Sequence, residues 1–179
     1  MGTGPTISVI IPTVNEASEL PETLRRVRAI QEIGEIIVID GGSADNTCDI
    51  ARDHDCFLIE TKPSRGHQLR LGAEQATGEI VLLLHADTWL PENAGRAIIE
   101  CLDKPLVVGG CFHKTFLDRP CSIPFSHLRL EFFSRVLKSI YGDQGIFVRR
   151  DTLEAVGGVP DIPLMEEFEL CKKLSAQRR

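Results

Sequence analysis

Short apolar runs rich in β-branched residues alternate along the chain with amphipathic stretches. This alternation predicts an α/β fold, in which helices flank a mainly parallel sheet. The run at 80–84 is the most hydrophobic, so we expect it near the centre of that sheet. Strands are predicted at 7–11, 36–39, 57–59, 80–84 and 146–148.

The amphipathic stretches between these runs predict the helices. In the first stretch apolar residues recur at helical spacing, and Ser18 is the predicted N-cap. Ser43 is predicted to cap the second helix. Residues 62–66 predict a loop, and 69–76 the helix after it. Further helices are predicted from Pro91 onwards, up to Gly157, and over 166–174.

The length of 179 residues and a 42% share of apolar residues fit a single globular domain. The pattern becomes less regular after Lys104, which divides the domain into residues 1–104 and 105–179. In the second part, Gly109 and Gly110 predict a β-bulge. No internal repeat, low-complexity tract or long linker indicates a second domain.

An apolar stripe at helical spacing runs along residues 125–140. A helix with such a stripe packs either into the core or against a membrane surface or a partner. Core packing is favoured because Glu131 interrupts the basic residues of the polar face, and peripheral membrane contact is the alternative. No apolar run reaches the roughly 18 residues of a membrane span, so we expect no transmembrane segment.

The formal net charge of -6 argues against nucleic-acid partners, since phosphate backbones select basic faces. The six cysteines form no Cys-x-x-Cys pair and have no histidine at zinc-site spacing. Several lie among apolar residues, which is typical of buried thiols in a reducing compartment. A basic segment followed by an apolar stretch, as in a secretory signal, is not seen at the N-terminus. We therefore expect a cytoplasmic protein.

Polar residues follow the ends of separate predicted strands. Thr13 and Glu16 come after the first strand, Asp40 ends the second, and His85 and Asp87 follow the most hydrophobic one. Ligands of open parallel sheets bind just beyond the carboxyl ends of the strands. We therefore expect these side chains to meet in one site.

The turn that begins at Asp40 is a candidate nucleotide contact. A carboxylate at a strand end can hold ribose hydroxyls or a base edge, and a glycine such as Gly41 lets the backbone approach a ligand closely. A tight turn whose carboxylate only caps the next helix explains the same pattern, and the residues alone leave both readings open. Neither a P-loop nor a G-x-G-x-x-G motif is present.

His85 and Asp87 are candidate metal ligands, because residues two apart at an irregular strand end can face one ion. A hard divalent cation bridging a carboxylate to a diphosphate would neutralise a leaving group. Hard cations prefer oxygen, which favours Asp87 over His85. A hydrogen-bonded structural role is the alternative for His85.

Glu166 and Glu167 lie at a predicted helix start and are candidates for a general base that takes a proton from an acceptor hydroxyl. The helix dipole alone also favours carboxylates there. Arg65 and Arg70 flank a loop at the same edge of the sheet and are candidates for phosphate contacts. Solvated surface charge is the ordinary alternative for both arginines.

The order of these motifs resembles the family-2 glycosyltransferases with the GT-A fold, over essentially the whole chain. The segments that carry this resemblance are Val-Ile-Ile-Pro-Thr-Val-Asn-Glu at 9–16, Val-Ile-Asp-Gly-Gly-Ser-Ala-Asp-Asn-Thr at 38–47, and 78–87 ending in His-Ala-Asp. Tyr-Gly-Asp-Gln-Gly at 141–145, Arg-Arg at 149–150 and Met-Glu-Glu at 165–167 resemble one branch, the radical-SAM/selenodomain-associated glycosyltransferases.

The resemblance implies inverting transfer of a sugar from a nucleotide-diphosphate sugar to an acceptor hydroxyl. Asp87 matches the second acid of the family's Asp-x-Asp and would bind the diphosphate through Mg²⁺ or Mn²⁺, while His85 replaces the first acid. Glu167 stands where the family has its catalytic base, beside Glu166. The predicted donor-binding residues are Pro12, Thr13, Glu16, Asp40, Gly41, Arg65 and Asp87.

The resemblance also assigns the two parts of the domain. Residues 1–104 correspond to the nucleotide-binding half and 105–179 to the acceptor-side half. Members of the family usually continue well past the base, so we expect a shortened acceptor side here. The sequence leaves the acceptor unidentified.

Two other functions fit parts of this pattern. A sugar-1-phosphate nucleotidyltransferase has a similar nucleotide domain, but its Gly- and Arg-rich loop after the first strand is replaced here by residues 12–16. A catalytically inactive module that only binds nucleotide sugars is the other alternative, and His85 keeps it open.

Overall fold

The computed structural model describes residues 4–112 and 144–176. Within them a six-stranded sheet has the order β3-β2-β1-β4-β6-β5. The strands are β1 (Ile7–Thr13), β2 (Ile33–Asp40), β3 (Phe57–Glu60), β4 (Ile80–Leu83), β5 (Gly109–Cys111) and β6 (Ile146–Arg149). The helices are α1 (Leu20–Arg28), α2 (Thr47–Asp53), α3 (Arg65–Gln75), α4 (Ala94–Leu102), α5 (Arg150–Ala155) and α6 (Glu166–Ala176).

The first four strands are parallel, and their carboxyl ends therefore lie at one edge of the sheet. β1 pairs with β2 on one side and with β4 on the other, and β2 pairs with β3. β6 runs antiparallel to both of its neighbours, β4 and β5. Since the chain leaves β1 towards β2 and later returns to its other side as β4, the sheet reverses its strand order between β1 and β4. Open sheets of this kind bind ligands at that reversal.

Apolar side chains cover both faces of the sheet, as the continuous apolar strands require. Every residue of β4 is buried. One face packs against α1, α2 and α4, and the other packs against α3, α5 and α6. Helix residues at the centre of these contacts include Leu24, Val27, Ala51 and Ile98 on the first face, and Leu69, Leu153 and Leu170 on the second.

The predicted α/β architecture is confirmed, and β4 lies in the interior of the sheet as expected. Several predicted details are wrong. Glu19 occupies the N-cap of α1 and Asn46 that of α2, so neither Ser18 nor Ser43 holds that position. Gly109 and Gly110 pair regularly with β6 and form no bulge.

The start of α3 differs most from the prediction. This helix begins at Arg65 rather than at 69, so part of the predicted 62–66 loop is helical. The helix predicted from Pro91 begins at Ala94. The helix predicted over 125–140 lies outside the described residues. None of the helices in the described ranges is long and apolar enough to span a membrane.

Candidate active site

A cleft of about 210 Å³ opens where β1 and β4 end, at the reversal of strand order. Its walls come from the loop after β1, the first turns of α3 and the segment after β4. The cleft brings together most of the residues predicted for a donor site. Its lining residues are Pro12, Thr13, Val14, Glu16, Arg65, Gln68, His85, Ala86 and Asp87.

Hydrogen bonds between the loops after β1 and β2 hold one wall of the cleft. The Asn15 N–H donates to Ser43 Oγ at 2.8 Å, and Asn15 Oδ1 accepts from the Ala44 N–H at 2.8 Å. Asn15 has a φ of 56°, which an asparagine tolerates better than most residues. The Glu16 N–H donates to Thr47 Oγ1 at 2.9 Å. These contacts fix the backbone that presents Glu16 to the cleft.

Asp40 is not among the residues that line the cleft, and its carboxylate is hydrogen-bonded within the loop that follows β2. It is 1% exposed and accepts hydrogen bonds from Thr13 Oγ1 at 3.1 Å, the Gly42 N–H at 2.8 Å and the Ser43 N–H at 2.7 Å. The Ser43 hydroxyl donates to it as well. Burial alone would raise the pKa of Asp40, but these hydrogen bonds outweigh burial and lower it. A contact between Asp40 and a nucleotide stays a prediction.

Gly41 is a packing requirement of the same region. A Cβ at this position would lie 2.7 Å from Val14 Cγ2, 3.1 Å from Gln68 Nε2 and 3.1 Å from Pro63 Cα. These distances are shorter than van der Waals contact, so any side chain there would move a wall of the cleft. The sequence suggested that a ligand approaches the backbone of Gly41 closely. In the described residues, Val14, Gln68 and Pro63 make that close approach.

Arg65 connects the cleft to the two candidate bases. Its Nε lies 2.8 Å from Glu166 Oε1 in an ion pair, and its terminal nitrogen contacts both Glu167 Oε1 and His85 Nε2. His85 Nε2 lies 3.9 Å from Glu167 Oε1. Glu166 is 2% exposed and Glu167 7%. The structure thus brings these four predicted residues, which come from three separate parts of the chain, into one cluster.

Close packing between two segments places Glu166 and Glu167 beside Arg65. A Cβ on Gly66 would lie 2.3 Å from the carbonyl oxygen of Ile162 and 2.8 Å from that of Pro160. The loop before α6 therefore rests directly on the first turn of α3, which only glycine allows. Met165, with a φ of 65°, turns the chain into α6.

Negative charge accumulates on the opposite side of the cleft. Burial, followed by the charges of Asp87, Glu19 and Asp45, raises the pKa of Glu16. His85 Nδ1 lies 4.0 Å from Asp87 Oδ1. The cleft therefore holds a cationic group, Arg65, together with a carboxylate pair, Glu16 and Asp87, which repel each other.

Comparison with known proteins decides the family. The sequence model described as Glycosyl transferase family 2 matches residues 8–152. The chain belongs to glycosyl transferase family 2. Among curated proteins it is 34% identical to a poly-beta-1,6-N-acetyl-D-glucosamine synthase of Staphylococcus epidermidis over 105 residues, which cover 55% of this chain and 26% of that relative. A Staphylococcus aureus synthase of the same name is 33% identical over 101 residues, covering 52% and 24%. The chain thus spans about a quarter of these relatives.

Solved structures share the fold, which is that of the GT-A glycosyltransferases. A mannosyltransferase from Pyrobaculum calidifontis, solved with GDP-Man and Mn²⁺, has a TM-score of 0.77 and 25% identity, covering 97% of this chain and 52% of its own. A glucosyl-3-phosphoglycerate synthase from Mycobacterium tuberculosis, solved with Mn²⁺, UDP and glucosyl-3-phosphoglycerate, has a TM-score of 0.72 and 17% identity, covering 97% and 66%. The second similarity concerns the fold alone.

The carboxylates of the cleft suit a divalent cation that is bound by the protein together with a ligand. No group of three or more His, Cys, Asp or Glu residues placed to bind a metal occurs in the parts of the chain described. Mg²⁺, however, is usually bound by one or two carboxylates together with substrate phosphates and waters. Asp87 lines the cleft with 64% of its side chain exposed, and the Glu16–Asp87 repulsion would be relieved by a cation.

Two residues depart from what the sequence suggested. Arg70 is on α3 and pairs with Glu74 at 3.0 Å instead of lining the cleft. Gln68 lines the cleft although its sequence pattern gave no functional signal. The available hint was a polar residue on the buried side of a helix, since Gln68 is 3% exposed. Buried polar side chains of this kind are normally hydrogen-bonded inside proteins.

Proposed function

We propose that this domain transfers a sugar from a nucleotide-diphosphate sugar to an acceptor hydroxyl with inversion at the anomeric carbon. The observation that carries the proposal is the position of Arg65, which lines the cleft and whose guanidinium contacts Glu167. A donor site and a candidate base are thereby joined through one side chain. Membership in glycosyl transferase family 2 and the names of the relatives support the reaction class.

The donor is assigned to the cleft, in the nucleotide-binding half formed by residues 1–104. We place the diphosphate between Arg65, which suits anionic oxygens, and Asp87, which would hold Mg²⁺ or Mn²⁺ with help from His85. Such a cation would supply charge neutralisation for the departing diphosphate. The neighbours solved with GDP-Man and Mn²⁺ or with UDP and Mn²⁺ support this donor chemistry.

Glu167 is assigned the role of general base. A sugar hydroxyl is a poor nucleophile at neutral pH, so its proton must leave as the new glycosidic bond forms. In the reaction the acceptor oxygen attacks the anomeric carbon, the bond to the diphosphate breaks, and the proton passes to the Glu167 carboxylate. Glu166, buried against Arg65, orients the guanidinium rather than meeting the acceptor. The acceptor is assigned to the side formed by residues 105–179.

Within the family we propose the radical-SAM/selenodomain-associated branch. Its support is the combination of the Tyr-Gly-Asp-Gln-Gly segment at 141–145, the arginines at 149–150 and the Met-Glu-Glu segment at 165–167. The resemblance to this branch includes His85, since its members tend to carry a histidine at that position. The contact of His85 with Arg65 gives that histidine a place in the cluster around Glu167.

A nucleotide-sugar binding module without turnover is the second candidate. The observation in its favour is that Arg65 and His85 both lie against Glu167, so the carboxylate is engaged within the protein. A diphosphate that attracts Arg65 would free the Glu167 carboxylate from this contact. An enzyme requires that change, because a general base must be free to accept a proton, whereas a binding module does not.

The proposed function is tested by calorimetric titration of UDP, GDP and their sugars, with Mn²⁺ and after chelation. We expect one nucleotide class to bind, more tightly with Mn²⁺, and to raise the melting temperature. At a ligand concentration one hundred times the dissociation constant, binding stabilises the folded state by about 2.7 kcal/mol. If none of these nucleotides binds, the proposal is wrong. Binding without transfer to any acceptor supports the module instead.

A further inference from the structure

Gln68 is held at the edge of the cleft by the ends of two strands. Its Nε2 donates to the carbonyl oxygens of Thr13 at 3.0 Å and Ile39 at 2.7 Å, in β1 and β2 respectively. Only the NH₂ end of an amide can face two carbonyl oxygens, so these contacts determine which way the side chain is turned. The helix α3 supplies the side chain one turn after Arg65, and the residue is 3% exposed.

The amide oxygen of Gln68 is left for another partner. Oε1 accepts no hydrogen bond from the described residues, yet it is not sealed from solvent. Gln68 lines the cleft, and we take this solvent-accessible oxygen to open into it. Buried amides normally have both ends hydrogen-bonded. A fixed acceptor facing a ligand cleft therefore points to a donor on the ligand.

The neighbouring carboxylate of Asp40 differs from the Gln68 amide, because its acceptor sites are already filled within the protein. Asp40 ends β2 beside Ile39, but its oxygens are occupied by donors from Thr13, Gly42 and Ser43. The amide oxygen of Gln68, unlike the Asp40 carboxylate, therefore has no hydrogen-bond partner among the described residues.

We propose that Gln68 is a specificity-determining residue, whose Oε1 accepts a hydrogen bond from the nucleoside of the donor, either from a ribose hydroxyl or from a ring N–H. The inference rests on the proposed function. An ionised diphosphate offers only acceptors, so it does not match this oxygen. The sugar belongs at the other end of the cleft, next to Glu167, with Arg65 between the two ends. The nucleoside is what remains beside β1 and β2.

The physical consequence is selection against ligands that lack the donor. The carbonyls of Thr13 and Ile39 prevent the amide from turning over, so it cannot offer its NH₂ group to the ligand instead. A site that is built to hydrogen-bond one group rejects analogues without it, because its own polar atom then loses water and gains no partner.

The test is a cycle of protein and ligand changes, measured by calorimetry in Mn²⁺. The protein is compared with Gln68→Met, which keeps the length of the side chain and removes the amide. The ligands are UDP and GDP, their 2′-deoxy and 3′-deoxy forms, and forms methylated at the ring N–H. In the parent protein we expect one analogue to bind about two- to tenfold more weakly than the intact nucleotide. In Gln68→Met that analogue and the intact nucleotide should bind equally.

The ribose and ring analogues distinguish the two sources of the donor. Gln75→Met, an exposed glutamine on the same helix, is the control and should retain the parent's discrimination. If Gln68→Met does not fold by circular dichroism, Gln68→Asn replaces it in the same cycle, because it draws the amide oxygen back by one methylene. Equal losses for each analogue in parent and variant would overturn the role of Gln68 while leaving nucleotide binding intact. A parent that binds neither UDP nor GDP would overturn both this inference and the proposed function.

Discussion

The guanidinium of Arg65 contacts the carboxylate of Glu167 across 102 positions of the sequence. The contact joins the first turn of α3 to the first turn of α6, and the ion pair between Arg65 and Glu166 strengthens the same junction. A single cation thereby neutralises part of a buried acidic pair while facing the cleft. An anionic ligand in the cleft would compete with that pair for Arg65, which couples donor binding to the state of Glu167.

Arg65→Lys should weaken both donor binding and transfer. Lysine keeps the positive charge, but its single ammonium group cannot reach the two carboxylates and a phosphate in the forked geometry of a guanidinium. Hydrogen bonds to charged groups contribute roughly 1.5–3 kcal/mol, so we expect a loss of about tenfold or more in donor affinity. Calorimetry with the preferred nucleotide measures it. Arg70→Lys is the matched control, since Arg70 pairs with Glu74 on the same helix, and an equal loss there would refute the assignment.

Gly66→Ala should destabilise the junction between α3 and the loop before α6. The new Cβ would lie 2.3 Å from the carbonyl oxygen of Ile162, so the backbone must move. Overpacking of this kind costs about 1–3 kcal/mol of unfolding free energy. Urea denaturation measures this cost, and a transfer assay should show a parallel loss because Glu167 moves with the loop. Gly4→Ala, whose Cβ meets nothing within 4 Å, should leave both unchanged. Unaltered stability in Gly66→Ala would contradict this prediction, because it would show that the loop before α6 moves away from α3 without cost.

The strands and their polar ends could be predicted because parallel strands buried on both faces have continuous apolar runs, and because ligands bind where such strands end. The junction at Arg65 could not be predicted in the same way. Residues 62–66 carry proline, serine and glycine, which are typical of a loop, but the helix begins at Arg65, and Gly66 in its first turn packs against Ile162. That contact depends on tertiary structure, which a local pattern does not contain.

Asp40→Asn should lower stability in a way that depends on pH. The hydrogen bonds to its carboxylate hold the pKa of Asp40 below the usual 3.8 despite burial. Its ionised form therefore stabilises the fold above that value, and the contribution is lost as the pH falls through the lower pKa of the folded state. We expect the difference in unfolding free energy between parent and variant to be constant near neutral pH and to shrink below about pH 4.

Denaturant unfolding at a series of pH values provides the measurement for Asp40. Asp49→Asn, at an exposed position of α2, controls for the loss of one surface carboxylate. A difference that grows on acidification would contradict the assignment of Asp40 to the hydrogen bonds of its loop. The same preparations can be titrated with nucleotide, which tests separately whether Asp40 touches the ligand.

Asp87→Asn should weaken Mn²⁺-dependent nucleotide binding more than His85→Asn does. Oxygen ligands suit Mg²⁺ and Mn²⁺, and the structure turns His85 Nε2 towards Arg65. Even residues that only support metal ligands change metal affinity by about 10–100-fold, so Asp87→Asn should cost at least about tenfold. Nucleotide is titrated at fixed Mn²⁺ concentration. A larger loss in His85→Asn, or binding that is indifferent to chelation in the parent, would exclude this assignment.

Gln68 and Asp40 show why the residues of the site are harder to predict than their location. Both positions carry groups able to bind a ligand, and the sequence favours Asp40 because it ends a strand and precedes two glycines. In the structure the N–H groups of Ser43 and Gly42 donate to that carboxylate, while Gln68 lines the cleft. Which polar atom is used internally depends on contacts between residues far apart in sequence.

Glu167→Gln provides the most direct test of the account, because it distinguishes an enzyme from a binding module. Glutamine keeps the size and shape of the side chain but cannot accept the proton of the acceptor hydroxyl. General-base assistance contributes about 10²–10⁴-fold in rate, so transfer should fall at least a hundredfold while donor affinity is retained. Glu166→Gln, the matched control, should be milder in rate, since its carboxylate is buried against Arg65.

The decisive measurement is therefore the transfer rate of the parent and of Glu167→Gln with one donor and acceptor, with donor affinity determined on the same preparations. The account predicts donor affinity no weaker than that of the parent, because Arg65 loses a competing carboxylate, and a rate at least about a hundredfold lower in the variant. Transfer by Glu167→Gln at the parental rate would contradict it.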